Sequence, residues 1–201
     1  MSDVVFIQSP LLLYKNEDEK VRFRNHGGDE KSICPLGILY LSAYLKKYGH
    51  TVRIVDVAAE GKTLIDILEI IKIENPKLVG ISSMTTSIMS AVRLAECIKE
   101  TFGDKFQIGL GGVHLCCDPT FINRFPVFDF GVSGEGEKTF EELVRRAKKG
   151  EKIRGLIQGE MIEDLDALPF PSREMIRPEI YLREEQMNFE VPAAGILGSR
   201  G

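Results

Sequence analysis

Five short apolar runs, at residues 4–7 (VVFI), 52–55 (VRIV), 78–82 (LVGIS), 106–110 (FQIGL) and 128–132 (FDFGV), alternate with stretches of helical length and period. Strands this short cannot stand alone, and connections as long as a helix let successive strands pair in parallel, where tight turns would give hairpins. The spacing predicts helices over residues 36–48, 63–74, 87–102, 119–124 and 137–149. Each carries matching punctuation: Pro35 before the first and Gly49 after it, Asn75-Pro76 ending the second, and Lys148-Lys149-Gly150 at the end of the last. Right-handed crossovers then place a five-stranded parallel sheet between two helical layers, a three-layer Rossmann-like α/β domain. The expected strand order is flavodoxin-like, with the second strand outermost, followed by the first, third, fourth and fifth.

In such a sheet the carboxyl ends of the strands line the ligand crevice. Three of these ends open into small residues: Ser82-Ser83-Met84-Thr85-Thr86-Ser87, Gly109-Leu110-Gly111-Gly112-Val113-His114, and Ser133-Gly134-Glu135-Gly136-Glu137. Three small-residue loops side by side imply one broad, flat ligand that approaches the backbone closely. The link from first strand to first helix, residues 9–34, is far longer than an ordinary βα loop, which marks it as functional or as a surface insertion. Its first part, Pro10-Leu11-Leu12-Leu13-Tyr14, suits a cover for a ligand face.

The chain of 201 residues is 43% hydrophobic and 28% charged, enough for one domain with a real core and an appendage. A net charge of -4 without a basic stripe argues against nucleic acid as a partner. There is no basic leader before the first strand, and no apolar run reaches the roughly 18 residues of a spanning helix, so no membrane span and a cytosolic setting are expected. Cys34, Cys97, Cys116 and Cys117 are too scattered to hold a zinc ion or a cluster, and no metal-ligating set is visible. Cys97 lies in a helical apolar pattern and reads as a buried small hydrophobe.

Taken in order, Pro35-Leu36-Gly37-Ile38-Leu39-Tyr40-Leu41-Ser42-Ala43-Tyr44-Leu45 with Tyr48-Gly49-His50, the Ser82-Ser83-Met84-Thr85 loop, Gly111-Gly112 and Gly134-Glu135-Gly136-Glu137 are distinctive. Residues 3 to about 173 resemble the cobalamin-binding domain at the amino terminus of cobalamin-dependent radical S-adenosylmethionine enzymes. The resemblance implies a corrin lying across the sheet edge. Ser82, Ser83 and Thr85 would offer hydroxyls to corrin amides or the benzimidazole tail, with Met84 as a soft apolar contact. Gly111 and Gly112 would allow close approach, with Val113 beside them, and His114 would bond a corrin amide. Ser133, Gly134, Glu135 and Gly136 would hold the ribose or phosphate of the tail, and Pro10, Leu11 and Leu12 would cover the ligand. A carboxylate at a helix start, as at Glu135 and Glu137, is also a dipole-matched cap.

Other domains of this kind carry Asp-x-His-x-x-Gly after the first strand, and this chain does not. The resemblance therefore implies cobalamin bound base-off, with His26 in the same loop but far from the expected spacing. Asp56-Val57-Ala58-Ala59-Glu60-Gly61 has alanine where the motif has histidine and follows the wrong strand. Residues 151–192, including Leu168-Pro169-Phe170-Pro171, read as a linker after a 1–150 cofactor domain, and 193–201 as the first strand of a truncated radical S-adenosylmethionine barrel. In the whole enzyme that barrel, in cis, would hold a 4Fe-4S cluster and S-adenosylmethionine and methylate an unactivated carbon, while this segment itself carries no catalytic residue. Two other readings stand: a flavin- or nucleotide-binding domain of the same topology, which lacks a G-x-G-x-x-G turn here, and a ligand-free interaction domain, which leaves the glycine loops unexplained.

Overall fold

The computed structural model describes residues 1–10, 12–15, 21–24, 34–177, 180–181 and 195–196, the segments 12–15 and 21–24 by backbone alone. The strands are β1 (Val4–Gln8), β2 (Leu12–Lys15), β3 (Val21–Arg24), β4 (Val52–Asp56), β5 (Leu78–Ser82), β6 (Gln107–Gly111), β7 (Phe130–Ser133) and β8 (Gly155–Gln158). The helices are α1 (Leu36–Lys47), α2 (Leu64–Glu74), α3 (Ile88–Phe102), α4 (Val113–Cys117), α5 (Phe121–Arg124) and α6 (Glu137–Lys148).

The main sheet runs β4-β1-β5-β6-β7-β8, parallel throughout. The expected order of the first five strands is the observed one, but the sheet has six strands rather than five. The sixth, β8, pairs Phe130 with Gly155 through Ser133 with Gln158, inside the stretch read from sequence as linker. It is an edge strand and mostly exposed, so it lacks the apolar run that marks a buried parallel strand. The long β1–α1 link also holds more order than a loop, since β2 and β3 pair as an antiparallel hairpin whose backbone lies beside α3 and α2.

Alternation along the strands divides the core. Val5 and Ile7 of β1 face α2 and α3 with Ile67, Ile71, Leu94 and Ile98, while Val4 and Phe6 face α1 and α6 with Leu39, Leu45, Phe140 and Val144. Two mid-strand glycines make room for rings: a Cβ on Gly80 would stand 2.7 Å from the Phe6 ring, and one on Gly109 would run into the Phe130 ring. Cys97 is buried, as its helical pattern implies, and burial pushes its thiol up.

α2 is punctuated at both ends. The Asp66 N–H donates to Thr63 Oγ1 at 3.2 Å and the Thr63 N–H to Asp66 Oδ2 at 2.7 Å, a reciprocal cap that holds the Asp66 carboxyl below its usual range. At the other end Asn75, at φ 46, closes the helix before Pro76. Thr63→Ala removes the acceptor for one of these amides, and urea unfolding should read a loss of about 1 kcal/mol.

Candidate functional site

The carboxyl ends of β1, β5, β6 and β7 converge on one edge of the sheet. After β5, three hydroxyls close into a triangle: Ser9 Oγ lies within hydrogen-bond distance of Ser83 Oγ at 3.1 Å and of Ser87 Oγ at 2.9 Å, and Ser83 and Ser87 are 2.9 Å apart. Ser87 Oγ also accepts from the Met84 N–H at 3.1 Å, and Ser83 Oγ donates to the Met84 carbonyl at 3.0 Å. Ser83 therefore faces inward, only 1% exposed, and its hydroxyl is committed to the fold. Met84 is held by its backbone while its side chain stays 45% exposed at the rim. Ser82, half-buried, ends β5 beside this loop. Sequence reading missed Ser9 and Ser87, although the four-residue spacing of Ser83 and Ser87 across a helix start was a visible signal.

The β6 loop locks onto the β5 loop. The Ser83 N–H donates to the Gly111 carbonyl at 3.1 Å and the His114 N–H to the Ser83 carbonyl at 3.5 Å. The two glycines here differ in kind. A Cβ on Gly111 would meet nothing nearer than the Val132 carbonyl at 3.9 Å, so the space above it is open. Gly112 has φ 98 and ψ 178, a region that essentially only glycine occupies, and a Cβ there would run into the Ser83 backbone, 2.7 Å from its nitrogen. Residues 113–117, read as a loop from sequence, form α4, with Val113 exposed at its start.

His114 and Thr85 engage each other across the β5 and β6 loops. His114 Nδ1 lies 3.2 Å from Thr85 Oγ1, and the imidazole packs edge-on against Phe121 with centroids 4.8 Å apart. His114 Nε2 is buried, with no partner among the described residues.

After β7, Ser133 Oγ donates to the Leu115 carbonyl at 3.4 Å, and the Gly134 N–H, at φ 91, donates to Cys116 Sγ at 3.3 Å. Cys116 thus fixes the third loop to the second. Glu135 Oε2 accepts from the Ile162 N–H at 2.5 Å, and Gly136 begins α6, its carbonyl taking the Phe140 N–H at 2.7 Å. Pro10 is buried, Leu12 is described as β2 backbone, and Leu11 and His26 lie outside the described residues.

At the far end of the same edge, Asp56 is 3% exposed and accepts from the Ala59 N–H at 3.1 Å and the Tyr181 hydroxyl at 2.8 Å. Burial pushes the carboxyl above its usual range, and burial with the neighbouring Asp56 pushes the Tyr181 phenol up. The stretch 56–61 is thus a turn with a pinned carboxylate. Among the described residues no group of three or more His, Cys, Asp or Glu is placed to hold a metal ion, and no helix is long and apolar enough to cross a membrane.

This geometry agrees with what comparison finds. An uncharacterised methyltransferase of Pyrococcus horikoshii is 32% identical over 182 residues, covering 83% of this chain and 38% of that protein. Cytidylyl-2-hydroxyethylphosphonate methyltransferase of Streptomyces wedmorensis is 31% identical over 123 residues, covering 53% of this chain and 23% of that one. The chain therefore spans well under half the length of either relative. The structure of the cobalamin-dependent S-adenosylmethionine radical enzyme OxsB with aqua-cobalamin and S-adenosylmethionine bound superposes with a TM-score of 0.67 at 19% identity, over 90% of this chain and 25% of that one, and so shares its fold. The family model of the B12 binding domain matches residues 30–144, from the end of the long first loop through the β5, β6 and β7 loops into α6, and the chain belongs to that family.

Proposed function

We propose that cobalamin lies across the carboxyl edge of β1, β5, β6 and β7, and that the chain is the cofactor module of a cobalamin-dependent radical S-adenosylmethionine methyltransferase. The observation that carries this reading is the open space over Gly111, in the middle of the edge, where a flat ring can reach bare backbone. Ser82 supplies a hydroxyl beside it, and Met84 and Val113 supply apolar contact at the rim. The turn at Gly134 lets the third loop pass close to the ligand. Ser83, Thr85 and His114 act one step back, holding the loops that make these contacts. Gly112 does the same by fitting against Ser83, and Gly136 by starting α6.

Bound cobalamin supplies a cobalt centre able to carry a methyl group. What this chain adds is placement: an edge with open space over Gly111. The cluster and S-adenosylmethionine of such an enzyme need closely spaced thiolates, whereas Cys34 precedes α1, Cys97 lies in α3 and the adjacent Cys116 and Cys117 close α4, with no group of three or more His, Cys, Asp or Glu placed to hold a metal ion among the described residues. We therefore assign them to a barrel in the same polypeptide outside these 201 residues, and the carbon that is methylated to that barrel's choice.

Absorbance titration tests the reading. Hydroxocobalamin should saturate one site per chain with a shifted corrin spectrum, while flavin mononucleotide should leave its own spectrum unchanged. Saturation by the flavin alone would favour a flavodoxin-like function on the same sheet.

A further inference from the structure

Residues 159–177 with Tyr181 form a belt over α1 and α6 rather than a free linker. The belt leaves β8 at the third ligand loop, where the Gly159 N–H donates to the Ser133 carbonyl at 2.6 Å and the Ile162 N–H to Glu135 Oε2 at 2.5 Å. It then crosses the helices. Lys138 pairs with Glu160 at 2.6 Å, Lys47 Nζ donates to the Ala167 carbonyl at 3.1 Å, and the Ser172 N–H donates to the Leu39 carbonyl at 3.2 Å. Lys46 pairs with Glu174 at 2.6 Å, and the Tyr181 hydroxyl reaches buried Asp56 at the end of β4. The belt thus starts at one end of the ligand edge and finishes at the other.

Between these pegs the packing is loose. A groove of about 690 Å³ lies between the belt and the helices, walled by Tyr44, Tyr48 and Lys138 on one side and Met161, Glu163 and Leu168 on the other. The exposed ion pairs along it are worth little individually. The contact at the ligand loop is closer: a Cβ on Gly159 would lie 2.8 Å from the Glu135 backbone nitrogen, and Ile162 is buried. The loop of residues 133–136 is therefore fixed on one side by Cys116 and Leu115 and on the other by the start of the belt.

Glu135 has two plausible duties by type, a cap for α6 or a contact for the ligand's hydroxyls. The structure gives it a third. Its carboxylate accepts from an amide 27 residues away on the belt. We propose that Glu135 is a positioning residue: it latches the belt against the ligand loop, and the latched belt holds Gly134 where cobalamin needs it. The proposal rests on the cobalamin reading of the site.

The test separates a latch from a ligand contact. In the ligand-free chain, amide hydrogen exchange at residues 160–163 should quicken about tenfold in Glu135→Ala and stay near wild type in Glu135→Gln, which keeps an acceptor oxygen. Affinity is then measured for cobalamin and for cobinamide, a corrinoid without the nucleotide tail. Glu135→Ala should weaken both by the same factor, about tenfold, and Gly159→Ala, which pushes the belt off the loop without adding a group the ligand could touch, should do likewise. Loss confined to cobalamin would show Glu135 gripping the tail and overturn the proposal, as would unchanged exchange in Glu135→Ala. If wild type binds neither corrinoid, the cofactor reading fails, and the exchange measurement alone decides the latch.

Discussion

Gly111→Leu will fold as the wild-type chain does and bind cobalamin about a hundredfold more weakly. The folding half follows from geometry. Gly111 is in ordinary strand backbone, and its missing Cβ faces open space, with the Val132 carbonyl 3.9 Å away as the nearest atom. The binding half follows from the same space, because a leucine side chain there fills the strip along which the corrin would lie. Overpacking of that kind costs about 3 kcal/mol, or roughly a hundredfold in affinity. Thermal melts and absorbance titration on one preparation check both halves. Wild-type affinity in this variant would move the ligand off the middle of the edge.

The neighbouring residue should answer in the opposite way. Gly112→Ala adds a single methyl group, yet it puts alanine at φ 98 and ψ 178 and drives its Cβ into the Ser83 backbone. Strain in that backbone region and overlap each cost about 1–3 kcal/mol. A total loss of about 3 kcal/mol would lower the midpoint of thermal unfolding by about 6–12 °C. Since Ser83 anchors the hydroxyl triangle, the damage should centre on the β5 and β6 loops, with amide exchange rising there first. A melt unchanged from wild type would show that the two loops can part without cost. Together the two glycines separate what the sheet edge needs in order to exist from what it needs in order to bind.

The main architecture was legible because buried parallel strands announce themselves. β1, β4, β5, β6 and β7 are apolar runs bounded by turn residues, and burial on both faces is what enforces that composition. β8 escaped since an edge strand needs no such run, and α4 escaped because five residues are too few to show a period. The site was legible in outline only. Small residues at strand ends marked the three loops that the fold does bring together, but the division of labour among them depends on partners distant in sequence. Ser83 turns inward because Ser9 lies 74 residues before it, and Glu135 is spent on Ile162, 27 residues after it. Gly111 and Gly112 are the same residue type side by side, and only the neighbours of the absent Cβ tell them apart.

The sixth strand changes what counts as a transferable part. β7 is buried along its whole length, so a fragment ending at residue 150 would lose the strand that covers its outer side and present a bare apolar edge to solution. Anyone grafting this module onto another protein, or expressing it by itself, should carry the chain at least through residue 181, where Tyr181 meets Asp56. The natural unit of recombination in such enzymes would then be the cofactor sheet together with its girdle, inherited as one piece.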